Sequence, residues 1–228
     1  MLFETLALLV DPEPHAAPLN MAWDEVWLQD GAMQGGVPLL RVYRWAGPAV
    51  SIGYFEPWAP VAAAHPQREL VRRWTGGGVV LHGEDWTYSL IVPRSHPFSQ
   101  SRPADSYCAV HRSLASALGE SSGCGAKVEV SLVADAKVSA ACFENVVRDD
   151  LTLGGRKIGG AAQRRSRYGL LHQGSVLGVE LPEGFAEQWA ARLARKVVAA
   201  PAPDALRERR ALLSAAEKYA TRAWREKF

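Results

Sequence analysis

The sequence predicts an α+β fold, a mixed or antiparallel sheet with helices packed on it. Three observations carry this. Short runs of alternating apolar and polar residues, bounded by Gly and Pro, recur along the chain as far as Val179. Helical spacing of apolar residues is confined to segments set between those runs and after them. The two patterns do not alternate as β-α-β units, which argues against a Rossmann-type dinucleotide domain. With 228 residues, 48% apolar and 22% charged, the chain is read as a single domain over 1–228. Such a chain can bury about 70% of its unfolded surface.

Residues 1–10 are an apolar run read as a first strand, ended by Asp11-Pro12-Glu13-Pro14. Asn20 is read as a helix N-cap. Ala22, Trp23, Val26 and Trp27 follow at helical spacing beside Asp24 and Glu25, and Gly31 is read as the stop. Leu39–Trp45 alternates apolar and basic, Gly47-Pro48 turns, and Ala49–Phe55 continues, so the pair is expected to form a hairpin. Leu70–Trp74 and Val79–His82 are short strands flanking Gly76-Gly77-Gly78, and Thr87–Val92 is another, closed by Pro93. Asp105–Leu118 is helical, with Tyr107, Cys108, His111, Leu114, Ala115 and Leu118 on one face. Lys127–Val133 alternates as a strand. Asp150–Leu153, Gly154-Gly155 and Arg156–Ile158 make a tight hairpin, and Leu170–Val179 a further strand. Helices are expected over Phe185–Val198 and, beyond the break at Ala200–Pro203, over Asp204–Lys227.

Charge and cysteine usage narrow the function classes. Lys plus Arg is 26 and Asp plus Glu is 24, a net charge of +2 that does not argue for nucleic acid as partner. Cys108, Cys124 and Cys142 lack CxxC spacing, so neither a disulfide framework nor a zinc site is expected. No His/Cys/Asp/Glu set has metal-ligand spacing, and no metal site is assigned. The start, Met1-Leu2-Phe3-Glu4-Thr5, lacks a basic signal-peptide region. No apolar run nears the ~20 residues of a membrane span. A cytoplasmic protein away from the membrane is expected.

Two glycine-rich segments carry the chemistry. In Arg72-Arg73-Trp74-Thr75-Gly76-Gly77-Gly78-Val79-Val80-Leu81-His82, three glycines let backbone approach a ligand closely. The adjacent arginines could hold phosphate or carboxylate. No Gly-Lys-Ser/Thr follows, so this is not a Walker A loop. In Gly154-Gly155-Arg156-Lys157-Ile158-Gly159-Gly160-Ala161-Ala162-Gln163, a lysine sits among small residues that leave room for a ligand. Desolvation there would draw Lys157 toward proton-transfer work. The plainer readings are a hairpin turn and a solvated lysine. Arg156, Lys157, Arg164, Arg165 and Arg167 form a basic stretch able to steer acidic partners, or simply a charge-protected strand edge.

These segments resemble the signature regions of the lipoate–protein ligase and octanoyltransferase family. The first is similar to its arginine–arginine–glycine-triplet–histidine motif, the second to its lysine–isoleucine–glycine–alanine motif. Asn20-Met21-Ala22-Trp23-Asp24-Glu25 resembles the family's opening helix, and Leu40–Tyr54 its next hairpin. His172-Gln173-Gly174-Ser175 resembles the strand after the lysine, and Lys218–Trp224 the last helix. The resemblance implies the catalytic fold shared with biotin ligases and class II synthetase cores, and at 228 residues no accessory C-terminal domain is expected. It implies an acyl- or adenylate-binding set of Arg72, Arg73, Thr75, Gly76, Gly77, Gly78, His82, Gly159, Gly160, Ala161 and His172.

Within this family the resemblance leans to the cysteine-dependent octanoyltransferases. Ala141-Cys142-Phe143-Glu144-Asn145, with Cys142 fifteen positions before Lys157, resembles their nucleophile segment. The implied reaction moves an octanoyl or lipoyl group from a thioester carrier, through acyl-Cys142, to a lysine of a lipoyl domain, with Lys157 as proton carrier. It needs no cofactor. Its donor would be an acyl carrier protein, its acceptor a lipoyl domain of a 2-oxoacid dehydrogenase or the glycine cleavage H protein, and the enzyme a monomer. One alternative is a ligase that uses ATP and Mg to activate free lipoate or octanoate through lipoyl-AMP. Another is a non-catalytic acyl-binding module. Taken alone, Cys142 is a small buried hydrophobe, the usual fate of cysteine.

Overall fold

Apolar alternation and turn chemistry act here within a computed structural model that describes residues 1–33, 36–121, 127–132 and 146–228. The elements run β1 (Phe3–Val10), α1 (Ala17–Met33), β2 (Leu39–Tyr43), β3 (Ala49–Ile52), α2 (Trp58–Ala64), β4 (Glu69–Arg72), β5 (Val79–His82) and β6 (Trp86–Pro93). They continue with α3 (Pro103–Ser121), β7 (Val128–Val130), β8 (Leu151–Leu153), β9 (Arg156–Ser166) and β10 (Gly169–Val176). The chain closes with α4 (Phe185–Leu193), β11 (Ala194–Ala199), α5 (Ala205–Ser214) and α6 (Arg222–Arg225).

Among the described residues there are two sheets. The larger has the order β11-β1-β2-β6-β10-β9-β8-β7, the smaller β4-β3-β5. β1 pairs in parallel with both β11 and β2, and the rest of the large sheet is antiparallel. This is the expected α+β class with a mixed sheet. No described helix is long and apolar enough to cross a membrane.

The strand period decides which residues reach the site. On β6, Tyr88, Leu90 and Val92 face one way, into a core built with Val110, Leu114 and Leu118 of α3 and Trp189 of α4. Ile91 faces the other way, with Leu171 of β10, against Trp23, Val26 and Trp27 of α1. Fully burying each such side chain contributes about 1.5–3 kcal/mol. Thr87, Ser89, Gln173 and Ser175 share the α1 face, and Thr87, Gln173 and Ser175 line a cavity there. Gly174 on β10 lies under the Tyr88 ring, where an added Cβ would stand 2.3 Å from Cζ. Tyr88 is fully buried among Trp86, Trp189 and His172 and has nowhere to go. Gly174→Ala is therefore expected to destabilise the fold by about 3 kcal/mol, the overpacking range. A urea-unfolding midpoint equal to wild type would contradict that.

Several local expectations are corrected. Asn20 lies inside α1 rather than at its cap. The cap is long-range: the Ala17 amide donates to Glu69 Oε2 at 2.8 Å. The Asn20 side chain instead donates to the Arg44 carbonyl at 3.0 Å and accepts from Arg41 at 2.8 Å, joining α1 to β2. The helix passes Gly31 and ends at Met33. β2 and β3 form no hairpin: β2 enters the large sheet, while β3 becomes the centre of the small one, between β4 and β5. The helix expected over Phe185–Val198 ends at Leu193. Residues Ala194–Ala199, with Val197 and Val198, become β11, because β1 offers an edge that β-branched residues pair well. Of the strand expected over Lys127–Val133, Val128–Val130 forms β7, and Val133 lies outside the described residues. The last helix breaks into α5, one π turn over Ala215–Tyr219, and α6, capped by Thr221. α2 has no counterpart in the sequence reading.

Candidate active site

The small sheet, β9 and β10 enclose a cavity of about 450 Å³, a size suited to a small organic ligand. Its apolar wall includes Met21, Tyr43, Trp45, Phe55, Val80 and Val147. Burying an acyl chain on such a wall is worth about 0.8 kcal/mol per methylene. Two polar clusters face into it, one from each glycine-rich segment.

In the first, the glycine triplet links β4 to β5 across β3. Gly77 has φ 82°, the left-handed region that glycine tolerates. The loop packs so closely on Gly53 that an added Cβ there would lie 1.7 Å from the Gly77 carbonyl oxygen. Arg73 lines the cavity, donating to Ser51 Oγ at 2.7 Å and to the Gly76 and Gly78 carbonyls at 2.9 Å. Arg72 does not reach it. Its buried guanidinium donates to the carbonyls of Gly53, Tyr54 and Glu56 and to those of Trp224 and Arg225. The expectation that Arg72 holds a ligand's phosphate or carboxylate is thus corrected: five backbone carbonyls use its donors, and it ties the last helix to the loop. Thr75 is buried behind the wall, donating to Gln173 Oε1 at 2.7 Å. Gln173 in turn donates to Asp24 Oδ2 at 2.7 Å.

His82 closes this segment inside a relay absent from the sequence reading. Its Nδ1 donates to Asp85 Oδ2 at 2.8 Å, and its Nε2 accepts from the Ser51 hydroxyl at 2.6 Å. Asp85 also accepts from Ser175 at 2.5 Å and Thr87 at 2.7 Å, and Trp45 donates to Thr87 at 2.8 Å while stacking on the imidazole. Burial pushes the His82 pKa down, with Arg73 and Arg68 adding, and the Asp85 contacts only partly oppose this. Burial would raise the Asp85 carboxyl, but the donors from His82, Ser175 and Thr87 hold it below its ordinary range. The relay is therefore a neutral imidazole against a carboxylate.

In the second cluster, Lys157 Nζ lies 2.6 Å from Asp150 Oδ2, with the two side chains only 5% and 1% exposed. Asp150 also accepts from Tyr107 at 2.7 Å and from the Val147 amide at 2.8 Å, and Tyr107 accepts from the Ala161 amide at 2.9 Å. The register explains the geometry. Leu151 pairs with Gly159 but Thr152 with Lys157, leaving Ile158 as an extra residue on β9. Ile158 drops into the core, and Gly160 returns to the face of Lys157. A Cβ on Gly160 would stand 3.0 Å from Lys157 Cε and 3.3 Å from Asp150 Oδ1, so the glycine makes the lysine's bed. Gly159 packs on Leu151 outside the cavity, while Ala161 lines it.

His172 also lies behind the wall. It is fully buried, accepting from Gln163 at 2.9 Å and bonding the Tyr88 hydroxyl at 3.2 Å, and burial holds it neutral, well below its ordinary pKa. Cys142 and Cys124 lie outside the described residues. Cys108 on α3 has its thiol pushed up by burial and by Asp149, the opposite of nucleophile activation. Among the described residues no His/Cys/Asp/Glu group could hold a metal ion.

The structure thus brings together Arg73, Gly76, Gly77, Gly78, His82, Lys157, Gly160 and Ala161 around one cavity. It leaves Arg72, Thr75, Gly159 and His172 behind it. Asp150, Tyr107, Ser51 and Asp85 were missed. The acidic pair Asp149-Asp150 directly before the lysine hairpin was the one local signal for Asp150.

The family model described as the lipoyl protein ligase A/B catalytic domain matches residues 16–184. Octanoyltransferase LipM of Moorella thermoacetica is 35% identical over 166 residues, covering 69% of this chain and 60% of that protein. Octanoyltransferase LipM of Carboxydothermus hydrogenoformans is 36% identical over 171 residues, covering 73% and 63%. The chain spans about three fifths of the length of these curated relatives. The crystal structure of lipoate-protein ligase A bound with ATP aligns over 99% of both chains, with a TM-score of 0.68 at 20% identity, a likeness of fold.

Proposed function

The chain belongs to the lipoyl protein ligase A/B catalytic domain family, and on that premise we propose that it is an acyltransferase of protein lipoylation. It moves an octanoyl or lipoyl group from a thioester carrier to a lysine amine of a lipoyl domain. The observation that carries the reading is Lys157, ion-paired to a buried carboxylate on the wall of a largely apolar cavity. The curated relatives named as octanoyltransferases support the same reading.

The Cys142 thiolate attacks the thioester carbonyl carbon. The carbonyl's bond to the carrier sulfur breaks, and the carrier thiol leaves with a proton. The acceptor's neutral amine then attacks acyl-Cys142. An amide C–N bond forms, the C–S bond breaks, and the amine's proton returns the cysteine to its thiol. Lys157 supplies the positive charge that favours a thiolate and carries the proton between steps. Arg73, the glycine triplet and Ala161 shape the acyl pocket. No ATP enters this scheme. The donor is an acyl carrier protein, and the monomeric enzyme works in the cytoplasm, where Cys142 stays reduced.

Intact mass after incubation with octanoyl-carrier protein tests it. An octanoyl-sized gain, lost in Cys142→Ser and discharged by a lipoyl domain, is expected. No adduct, together with ATP-dependent lipoylation, would replace the reading with a ligase.

A further inference from the structure

Arg164 stands apart from the other basic residues of β9. Arg165 points to the opposite face, donating to the Ser99 carbonyl and, at 2.7 Å, to Ser106 Oγ. Arg167 is exposed beside Tyr168, and Arg156 donates to the Gly178 carbonyl. Strand alternation puts Arg164 on the face of Gly160 and Ala162, both of which line the cavity. There its guanidinium lies between two aromatic rings, 5.2 Å from the centroids of both Tyr54 and Trp74. Each ring is a chain neighbour of a cavity residue, Phe55 or Arg73. Among the described residues Arg164 makes no ion pair with a carboxylate. On α1, Glu25 is occupied by Lys218 at 2.5 Å and Tyr219 at 2.7 Å.

A half-buried guanidinium, set against two rings and without a counter-anion among the described residues, is arranged to receive one. Cation–π contact does not consume a guanidinium's N–H donors, and their planar fork suits phosphate oxygens. The local field agrees: the Tyr54 phenol is held below its ordinary pKa, chiefly by the hydrogen bond from Lys227, which outweighs burial, with the charges of Lys227, Arg164 and Lys218 adding. Arg164 lies four residues along β9 from Gly160, which touches Lys157, or about 13 Å at the strand's rise per residue. That offset is too long for a group on the reacting carbonyl and suits the far end of a linear arm.

We infer that Arg164, held by Tyr54 and Trp74 beside the cavity, is a phosphate-binding site that takes the phosphate anchoring the arm of the thioester donor. The proposal rests on the acyl-transfer reading for the identity of that donor. The anion site itself rests on the two ring contacts.

Titration calorimetry with 4′-phosphopantetheine and with pantetheine tests it without any catalytic step. The wild-type chain is expected to bind the phosphorylated arm on the order of tenfold more tightly, as one charge-assisted contact allows, and less so at high salt. Arg164→Gln is expected to erase the difference, and Arg164→Lys to keep part of it, which separates charge from packing. Equal affinity for the two arms, or a difference that survives in Arg164→Gln, would overturn the proposal. So would an Arg164-dependent gain seen with MgATP but not with the arm. Because this is a binding readout, its failure is distinguishable from the absence of a Cys142 adduct.

Discussion

Lys157→Met is expected to lower the rate of acyl transfer by about 10³-fold, the mid-range of a lost proton-transfer group. It is also expected to cost about 3 kcal/mol of stability. The two effects have one origin. Asp150 is buried and shares its charge between Lys157, the Tyr107 hydroxyl and the Val147 amide. Removing the ammonium leaves a buried carboxylate without its ion partner, and single-partner losses of this kind fall at about 3–5 kcal/mol. The double variant Lys157→Met/Asp150→Asn should recover most of the stability and none of the rate. Urea unfolding and single-turnover transfer measure the two halves. Wild-type transfer by Lys157→Met would reduce the lysine to a structural ion pair.

Lowering the pH from about 6.5 toward 4 should erode stability steeply, in a window set by buried histidines. His111 is pushed down to about 4, first by burial and only partly rescued by its hydrogen bond to the Asp149 carbonyl at 2.6 Å. Its Nε2 is buried without a hydrogen-bond partner among the described residues, so a proton there finds no acceptor. His82 and His172 are lowered in the same direction, again chiefly by burial. The sign follows from linkage. Below about 6.5 the unfolded chain binds protons that the folded state refuses, so stability falls as pH falls and is level above that point. For His111 alone the loss by pH 4 is about 3 kcal/mol. Asp85, held below its ordinary range, adds a second loss only below about 3.8. His111→Gln should remove about 1.4 kcal/mol per pH unit from the slope. Unfolding free energies that stay flat between pH 6.5 and 4.5 would refute the assignment.

Much of the site was legible because its chemistry is local. The Gly76-Gly77-Gly78 loop, His82 and the Lys157 hairpin are contiguous segments whose need for small residues shows in the residues themselves. Gly77 takes a positive φ and Gly160 leaves space for the lysine, both readable as reasons for glycine. Adjacent residues proved harder to separate. Arg72 and Arg73 carry the same charge and both donate to backbone carbonyls, yet alternation along β4 and its exit puts only Arg73 on the cavity. Gly159 and Gly160 divide in the same way at the Ile158 bulge.

By itself the sequence determined the α+β class, most of the strands and the pairing of two glycine-rich segments around a lysine, because period, turn residues and small-residue runs act over a few positions. Only the tertiary structure decided that β3 leaves β2 for a second sheet, that Val197 and Val198 extend as β11, and that Asp150, Tyr107, Asp85 and Ser51 complete the two clusters. Those outcomes depend on which edge needs a partner and which buried charge needs a counter-charge. Such demands are met by residues far apart in the chain, as Glu69 capping α1 across 52 positions illustrates.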